Sequence, residues 1–434
     1  MNALALLTLL AFDATETPVS QRLTMEQVVE MAVESSSALK AARARARGGE
    51  EQAKSLRGRL LPSVNLSDEW QRWDSPFDIA FNFGPSVPFT APPLRARDAT
   101  TNTFVAAVGQ PLLGLLHLSS DHAALTSSAE AASYDAHTLE ANLRDETRAQ
   151  FMRMFEARTL AGVARASQAQ LAEQLAVAKE KLAAGVLTPA DVLRLEVAAA
   201  NAKQQEIQAQ AAEEVARANL LVALGRDPHD PSIDFVEPAT PDSAAAAEPG
   251  LARLVAKALH QRSEIKSANL VVQAARAGSH ARTYDLLPEV DLEAGYMHMT
   301  GQTFVKTDSA FIGLRANWQI WDWGARFYQH RVARSQAEAA TAQAEDARRR
   351  VETDVAAKLA NVRATASALD TGRTAIGSAE EAYRVTTVLL AAGSANTTDL
   401  LDAQSALTQA RLNFARARYE YTLARLSLDR ALGD

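Results

Sequence analysis

The sequence contains no cysteine, and this absence excludes several kinds of protein at once. Without cysteine the chain can form no disulfide, no thiol nucleophile, no zinc site built on thiolates and no lipid-modified N-terminal cysteine. Aromatic residues are also scarce, at 6% of the chain, whereas alanine accounts for about one residue in five. This composition favours long helices over a thick globular core.

The chain has no excess of basic residues, since its formal net charge is −7. The composition therefore gives no reason to expect a nucleic-acid partner. Long hydrophobic runs are absent too, because the apolar run from Ala3 to Phe12 is too short to span a membrane. Its length is typical of a secretory signal, although the first basic residue is Arg22. We therefore predict a signal peptide over residues 1–20. Any membrane crossing by the rest of the chain would have to use β-strands.

Residues that carry catalysis or bind metals form no recognisable group in this sequence. The eight histidines do not pair at metal-ligand spacing. The run Ser119-Ser120-Asp121 fits a helix cap better than a nucleophilic site, and no glycine-rich phosphate loop is present. We predict no catalytic residue, no metal site and no cofactor.

Two similar halves follow each other along the chain. Residues 38–70 align without a gap on residues 264–296, so that LLPSVNL falls on LLPEVDL. Further on, LAAGVLTPADVL at 182–193 matches LAAGSANTTDLL at 390–401. Such internal similarity predicts a duplication. Its parts are repeat 1 at residues 21–225, an equatorial linker at 226–250 and repeat 2 at 251–434.

Each repeat has the predicted order helix, strand, loop, strand, long helix, turn and helix. A helix of the predicted long kind would extend roughly 95–100 Å at 1.5 Å per residue, which no compact domain needs. We therefore expect a mainly α-helical fold with a small β part. The predicted helices are residues 24–57, 119–184 and 189–224 in repeat 1, and residues 251–284, 325–392 and 397–432 in repeat 2.

The predicted strands of repeat 2 alternate apolar and polar residues with a period of two, as membrane strands do. This alternation is regular at 289–298 and 312–320, whereas residues 104–110 of repeat 1 alternate poorly. Residues 74–101, which are rich in proline, predict an irregular loop. Aromatic residues gather at strand ends, as in interfacial girdles. The predicted lipid-facing residues are Val64, Leu66, Trp70, Val290, Leu292, Tyr296, Ile312, Leu314, Trp318 and Ile320.

Taken in order, these motifs resemble those of the TolC-like outer-membrane efflux protein family. The likeness rests on LLPSVNL and LLPEVDL before the strands, QPLLG and WQIWDWG after them, the two AAG turns, and the repeat ends LVALG and RALGD. The resemblance implies a homotrimer in which each chain gives four strands to a 12-stranded transmembrane β-barrel in outer-membrane lipid. The helices would form a long α-helical periplasmic barrel. Four strands alone are too few to close a barrel.

The resemblance implies a passive exit duct in the bacterial outer membrane, part of a tripartite efflux or type I secretion system. Its partners would be a periplasmic adaptor and an inner-membrane pump. The cargo, whether drug, metal or secreted protein, has no signature in the sequence. The competing interpretation is an elongated coiled-coil structural protein of the cell envelope, since the helices also show heptad-like spacing.

The two AAG turns would form the adaptor-facing tip. Asp191 and Asp399 each follow a cap residue by three positions, so capping alone accounts for them, whereas Asp402 lies beyond the first turn. The resemblance implies a periplasmic constriction lined by Asp399 and Asp402, with Asp191 as the repeat-1 counterpart of Asp399. The alternative is two solvated acids on an outer helix face. The predicted tip residues are Gly185, Val186, Leu187, Gly393, Ser394 and Ala395.

One part of the family pattern is missing from this entrance. Relatives that close it with a tyrosine and an arginine would place them near Leu390 and Ala395, and neither is present. Asp191 with Arg194, across a subunit contact, is a candidate substitute. We therefore expect a closed resting tip that is held less firmly.

Overall fold

The structure is a computed structural model that describes residues 21–81, 92–241 and 249–433. The predicted signal peptide, residues 1–20, lies outside the described residues. Helices predominate in the described parts of the chain. The elements are β1 (Gln21–Leu23), α1 (Met25–Ser35), α2 (Ser37–Gly58), β2 (Ser63–Arg72), β3 (Phe77–Ile79), β4 (Leu94–Pro111), α3 (Gly114–Ala183), α4 (Pro189–Ala223), β5 (Ile233–Phe235), α5 (Leu251–Gln261), α6 (Ser263–Tyr284), β6 (Glu289–Gln302), β7 (Asp308–Asn317), α7 (Ala325–Ala391) and α8 (Thr397–Leu432).

Two compact units divide the chain, and each contains segments of both sequence halves. The first unit holds the residues up to Lys40, together with His137–Arg262 and the residues from Arg349 onward. The second unit holds Ala41–Ala136 and Ser263–Arg348. The long helices α3 and α7 contribute residues to both units. The repeat boundaries drawn from the sequence stay a prediction.

The second unit contains an antiparallel sheet with the order β2-β4-β6-β7, and β3 pairs with the first part of β4. The pairing of β2 with β4 runs from Ser63 opposite Gly109 to Arg72 opposite Thr100. β6 pairs with β4 on one side and with β7 on the other. Within the described chain, β2 and β7 therefore each have one edge without a partner strand.

The strand limits differ from those predicted. β7 ends at Asn317, so Trp318 and Ile320 follow the strand instead of belonging to it. The predicted irregular loop at 74–101 is wrong where it contains β3 and the first part of β4. β4 is 18 residues long despite its poor alternation, because backbone hydrogen bonds to both β2 and β6 hold it extended.

The first helix of each half is interrupted, so the predicted continuous helices at 24–57 and 251–284 are wrong. Ser36 is extended, with φ −60° and ψ 110°, and its hydroxyl accepts the N–H of Leu39 at 3.2 Å. Arg262 is also extended, with φ −62° and ψ 131°, and its guanidinium contacts Asp354 at 2.8 Å. A break of one residue leaves the hydrophobic periodicity intact, which hides it from a sequence pattern.

The long helices end within one residue of their predicted limits, at Ala183 and Ala391. α3 begins earlier than predicted, at Gly114, so Ser119 lies inside the helix. The Ser119 hydroxyl donates to the Leu116 carbonyl oxygen at 3.0 Å instead of capping the helix. In the described parts of the chain, no helix has both the length and the hydrophobicity that a membrane crossing requires.

The core of the first unit is built on large side chains from α3 and α8. Phe151, Phe155 and Tyr419 are fully buried, and the two phenylalanine rings lie 5.1 Å apart. Phe151 also meets Phe235 of β5 edge-on at 5.9 Å. β5 pairs in parallel with β1, which joins the segment before α1 to the linker. Each of these two strands has three residues, which is too few for an alternation of apolar and polar residues to reveal a strand in the sequence.

Candidate functional site

Both AAG turns end their helices with the same backbone geometry. Gly185 has φ +76° and Gly393 has φ +73°, in the left-handed region that favours glycine. The N–H of Val186 donates to the Lys181 carbonyl at 2.9 Å, and the N–H of Ser394 donates to the Leu389 carbonyl at 2.9 Å. These bonds close Schellman-type ends. A Cβ at either glycine would meet open space, so the backbone angle and not crowding requires glycine.

A capping box begins the helix after each turn. Thr188 caps α4, and its hydroxyl accepts the N–H of Asp191 at 3.3 Å while donating to the Asp191 carboxylate at 2.6 Å. Asn396 caps α8, and it exchanges two bonds of 2.9 Å with Asp399. The Thr188 hydroxyl, helped by the Thr188 backbone N–H and the charge of Arg194, holds the pKa of Asp191 below its ordinary value. Both aspartates therefore have a structural task at a helix start.

The structure brings the two turns side by side within the first unit. Arg194 of α4 donates from Nη1 to the Thr398 hydroxyl at 3.1 Å, in the first turn of α8. The Thr397 side chain lies close enough to the Asp191 carboxylate to help lower the pKa of that carboxyl. A cavity of about 620 Å³ lies between the two hairpins. Four of the predicted tip residues line it: Val186, Leu187, Gly393 and Ala395.

The wall of this cavity also carries a polar network that the sequence did not reveal. The Tyr383 hydroxyl accepts from Gln170 at 2.6 Å and from Gln174 at 2.8 Å. Gln404, which is buried, donates to the Gln170 side-chain oxygen at 3.0 Å. The network joins α3, α7 and α8. The spacing of Gln170 and Gln174 places them on one face of α3, but no local pattern identifies Tyr383 as their partner.

The two acids of the predicted constriction lie three residues apart on α8, and both are exposed. Asp399 uses its carboxylate in the cap of α8. The side chain of Asp402 makes no hydrogen bond or ion pair with the residues that the structure describes. Asp402 is therefore the acid whose charge no internal contact explains.

The register of the sheet separates an apolar face from a polar one, because directly paired residues lie on the same face. Leu66 pairs with Ala106, which in turn pairs with Tyr296. Glu293 lies on the other face, where it meets Arg315 at 2.8 Å. We call these the apolar face and the polar face. The residues of the predicted lipid-facing set that share the apolar face are Val64, Leu66, Trp70, Val290, Leu292, Tyr296, Ile312 and Leu314.

Polar contacts do occur on the apolar face, at the end away from the helices. Asn102 donates to Asp68 at 2.7 Å, and His298 lies 2.8 Å from Asp308. Toward the helices the paired residues of this face are apolar except Gln110, which pairs with Leu292 and donates to the Leu60 carbonyl oxygen at 3.1 Å. The sheet thus has the one-sided character that the alternation in repeat 2 predicted.

The family model described as "Outer membrane efflux protein" matches residues 28–226 and 254–434. Among solved structures, the chain is similar to the outer-membrane channel OprN, with a TM-score of 0.79 at 20% identity over 94% of this chain and 89% of that chain. It is also similar to CusC, with a TM-score of 0.80 at 14% identity over 94% and 92%. The outer membrane protein VceC from Vibrio cholerae gives 0.76 at 17% identity over 94% and 96%. No curated protein sequence matches the chain.

Proposed function

The chain belongs to the outer membrane efflux protein family, and from this premise we propose which of its surfaces carry out export. The predicted fold class, function and location are confirmed: it is a mainly helical exit duct of an efflux system, in the bacterial outer membrane with its helical part in the periplasm. It works as a trimer with a periplasmic adaptor and an inner-membrane pump. Family membership rules out the competing interpretation, a coiled-coil structural protein.

The family consists of channel proteins and not of enzymes. We therefore propose that this chain conducts its cargo passively, with no catalytic step of its own. The energy would come from the pump, and the chain would supply the path. Its cargo stays open among drugs, metals and secreted proteins.

The observation that carries the membrane assignment is the register of the sheet, which collects apolar side chains on one face. We assign the apolar face to lipid and the polar face, with Glu293 and Arg315, to the channel lumen. The unpaired edges of β2 and β7 would be satisfied by strands of neighbouring copies, because an unpaired edge in hydrocarbon is too costly. Four strands from each of three chains then close a barrel of 12.

Neighbouring residues of β2 allow a matched test of this assignment. Leu66→Lys places a charge on the apolar face, which costs about 2–4 kcal/mol near the bilayer midplane, whereas Ser67→Lys places the same charge on the polar face. We expect the Leu66 variant to lose the trimer recovered from outer membranes and the Ser67 variant to keep it. The measurement is the native mass of the detergent-extracted protein. Equal recovery of both variants would contradict the assignment.

We assign the two turns to the surface that meets the adaptor. The supporting observations are that both turns lie side by side and that Val186 is 70% exposed although it is apolar. The alternative, an ordinary pair of helix hairpins, has the same backbone geometry. Contact with a partner is therefore what separates the two, and a variant with a bulkier tip tests it.

We assign Asp399 and Asp402 to a constriction at the periplasmic entrance. Three copies of each would form two rings of carboxylates, which concentrate cations and repel anions. The exposure of both residues fits a pore lining, and it equally fits the alternative of two solvated acids. Only a measurement of ion selectivity separates these possibilities.

We further propose that Asp191 and Arg194 hold the entrance closed. Within the chain, Asp191 lies near Thr397 and Arg194 donates to Thr398, while the expected contact across subunits stays a prediction. Both contacts run from α4 to the first turn of α8. They would replace the closing residues that this chain lacks at Leu390 and Ala395.

A further inference from the structure

The polar face of the sheet is not polar along its whole length. Residues two apart on a strand share a face, so the face that carries Glu293 continues along β6 to Met297 and Met299. Val105 of β4 pairs with Met297 and lies on the same face. The apolar residues of this face are contiguous, and we call them the methionine belt: Val105, Ala107, Met297, Met299 and Phe311. An apolar group on a face assigned to water indicates contact with a ligand.

The side chains of the methionine belt remain accessible. Phe311 is 38% exposed, and the other four residues are half-buried. The Phe311 ring lies across Gly295 of the neighbouring strand, where a Cβ would come within 2.8 Å of the ring atom Cζ. Glycine therefore lets this ring rest against the sheet. The thioethers of Met297 and Met299 are flexible and polarizable, so they adapt to ligands of different shape.

The charges beside the methionine belt are mostly negative. Toward the helices, the same face carries Glu289, Asp291 and Glu293. One arginine, Arg315, lies among them and pairs with Glu293 at 2.8 Å. The side chains of Glu289 and Asp291 make no hydrogen bond or ion pair with the residues that the structure describes. Their charges therefore favour a positive ligand over a negative one.

We propose that the methionine belt is a binding subsite in the channel wall for organic cations with an aromatic body. The face of Phe311 attracts a cation, the methionine side chains contact the apolar body, and the two unpaired carboxylates select its charge. This inference rests on the proposed function, because it requires that the polar face lines the lumen. The competing ligand is a soft metal ion, which thioethers also bind.

The test observes the methionine methyl groups of the trimer by NMR after isotope labelling. Met297→Leu and Met299→Leu assign the two signals of the belt. The probe is tetraphenylphosphonium, an aromatic cation, and tetraphenylborate has the same shape with the opposite charge. We expect tetraphenylphosphonium to shift both signals to saturation and tetraphenylborate to need a higher concentration. Met152 and Met154 are fully buried, so their signals should stay in place. Equal binding of the two probes would overturn the assignment to cations.

A pair of phenylalanine variants tests the aromatic contact. Phe311→Leu removes the ring but keeps an apolar side chain, and the affinity for tetraphenylphosphonium should fall about two- to fivefold, as for an exposed cation–π contact. Phe104→Leu is the matched control, because Phe104 pairs with Asp68 on the apolar face of the same sheet. Binding that is unchanged in the Phe311 variant would overturn the subsite. Asp291→Asn should narrow the preference for tetraphenylphosphonium over tetraphenylborate.

Relaxation agents separate this subsite from the proposed function. An aqueous gadolinium chelate should broaden the Met297 signal, whereas a nitroxide carried on lipid chains should not. If the lipid nitroxide broadens it instead, the assignment of the polar face to the lumen fails first. If the chelate reaches Met297 but tetraphenylphosphonium shifts neither belt signal, the subsite alone fails. Silver(I) that shifts both signals while tetraphenylphosphonium shifts neither would show that the thioethers bind a soft metal, and this result would overturn the proposal.

Discussion

Arg194 of α4 donates a hydrogen bond to Thr398 of α8 at 3.1 Å, and Thr398 directly precedes Asp399. In the alignment of the two halves, Arg194 occupies the position that corresponds to Asp402. A duplicated hairpin has therefore diverged to opposite charge at one position. The arginine of the first copy contacts the helix start of the second copy. The residue that differs between the two hairpins therefore links them.

Arg194→Ala should loosen the closed entrance. It removes one exposed charged hydrogen bond, a loss of about 1 kcal/mol, or roughly a fivefold larger open fraction. The measurement is the resting conductance of single channels in planar bilayers. Arg384→Ala is the matched control, because Arg384 pairs with Glu381 on its own helix at 2.7 Å and has no contact with a second helix among the described residues. Equal conductance of both variants and the parent would remove Arg194 from the gate.

Neutralising the acids of α8 should reduce cation preference. Asp402→Asn should have the cleaner effect, because the Asp402 side chain has no hydrogen bond or ion pair to lose among the described residues. Asp399→Asn keeps an oxygen that can still cap α8. We expect both variants to show a reversal potential shifted toward zero and weaker block by divalent cations. Asp370→Asn, at an exposed acid of α7, is the control. If cation selectivity survives in the double variant, the two aspartates are surface residues.

Bulky residues at the tip should stop transport without disturbing assembly. Val186→Trp and Ser394→Trp enlarge exposed positions in the two turns, where neither side chain supports the fold. We expect cells that carry either variant to accumulate an efflux substrate as a channel-deficient strain does. The native mass of the extracted protein should still be that of a trimer. Normal efflux with a tryptophan at both positions would exclude the turns as the docking surface.

Acid should weaken the start of α4 through Asp191. Its folded pKa lies below the ordinary value of 3.8, because the Thr188 hydroxyl and backbone N–H bind the ionised form. The carboxylate therefore stabilises the cap above pH 3.8, and this contribution is lost as the pH falls through the lower folded pKa.

Hydrogen exchange of a peptide covering residues 182–195 measures this effect. After correction for intrinsic rates, protection in the parent should fall from pH 5 toward pH 2. Asp191→Asn should be less protected at pH 5 and should change little with pH. A parent whose protection stays constant over this range would show that the cap does not depend on the carboxylate.

The features that could be predicted from sequence are those set by neighbouring residues. Gly185 and Gly393 mark helix ends because glycine takes the left-handed angle at no steric cost. Thr188 and Asp191 form a cap because they lie three positions apart. The apolar face followed from alternation within each strand of repeat 2. In all these cases the deciding contact lies within a few residues.

The remaining features depend on partners far away in sequence. β4 is extended because β2 and β6 flank it, and its own alternation gives no sign of this. The small sheet of β1 and β5, and the bonds of Tyr383 to Gln170 and Gln174, form between segments that no local pattern connects. The same holds for Arg194, whose partner Thr398 is 204 residues away along the chain.

The pairing of β1 with β5 has a consequence for the order of folding. Secretion delivers a chain from its N-terminus, so β1 emerges long before β5 is available to pair with it. The segments of the second unit are all delivered once Arg348 has emerged, whereas the first unit also needs α8. Contacts between distant segments form slowly, because the intervening chain must first be closed into a loop. The strands can therefore find their neighbours while the second hairpin still waits for α8, which makes the proposed entrance the final part of the channel to take shape.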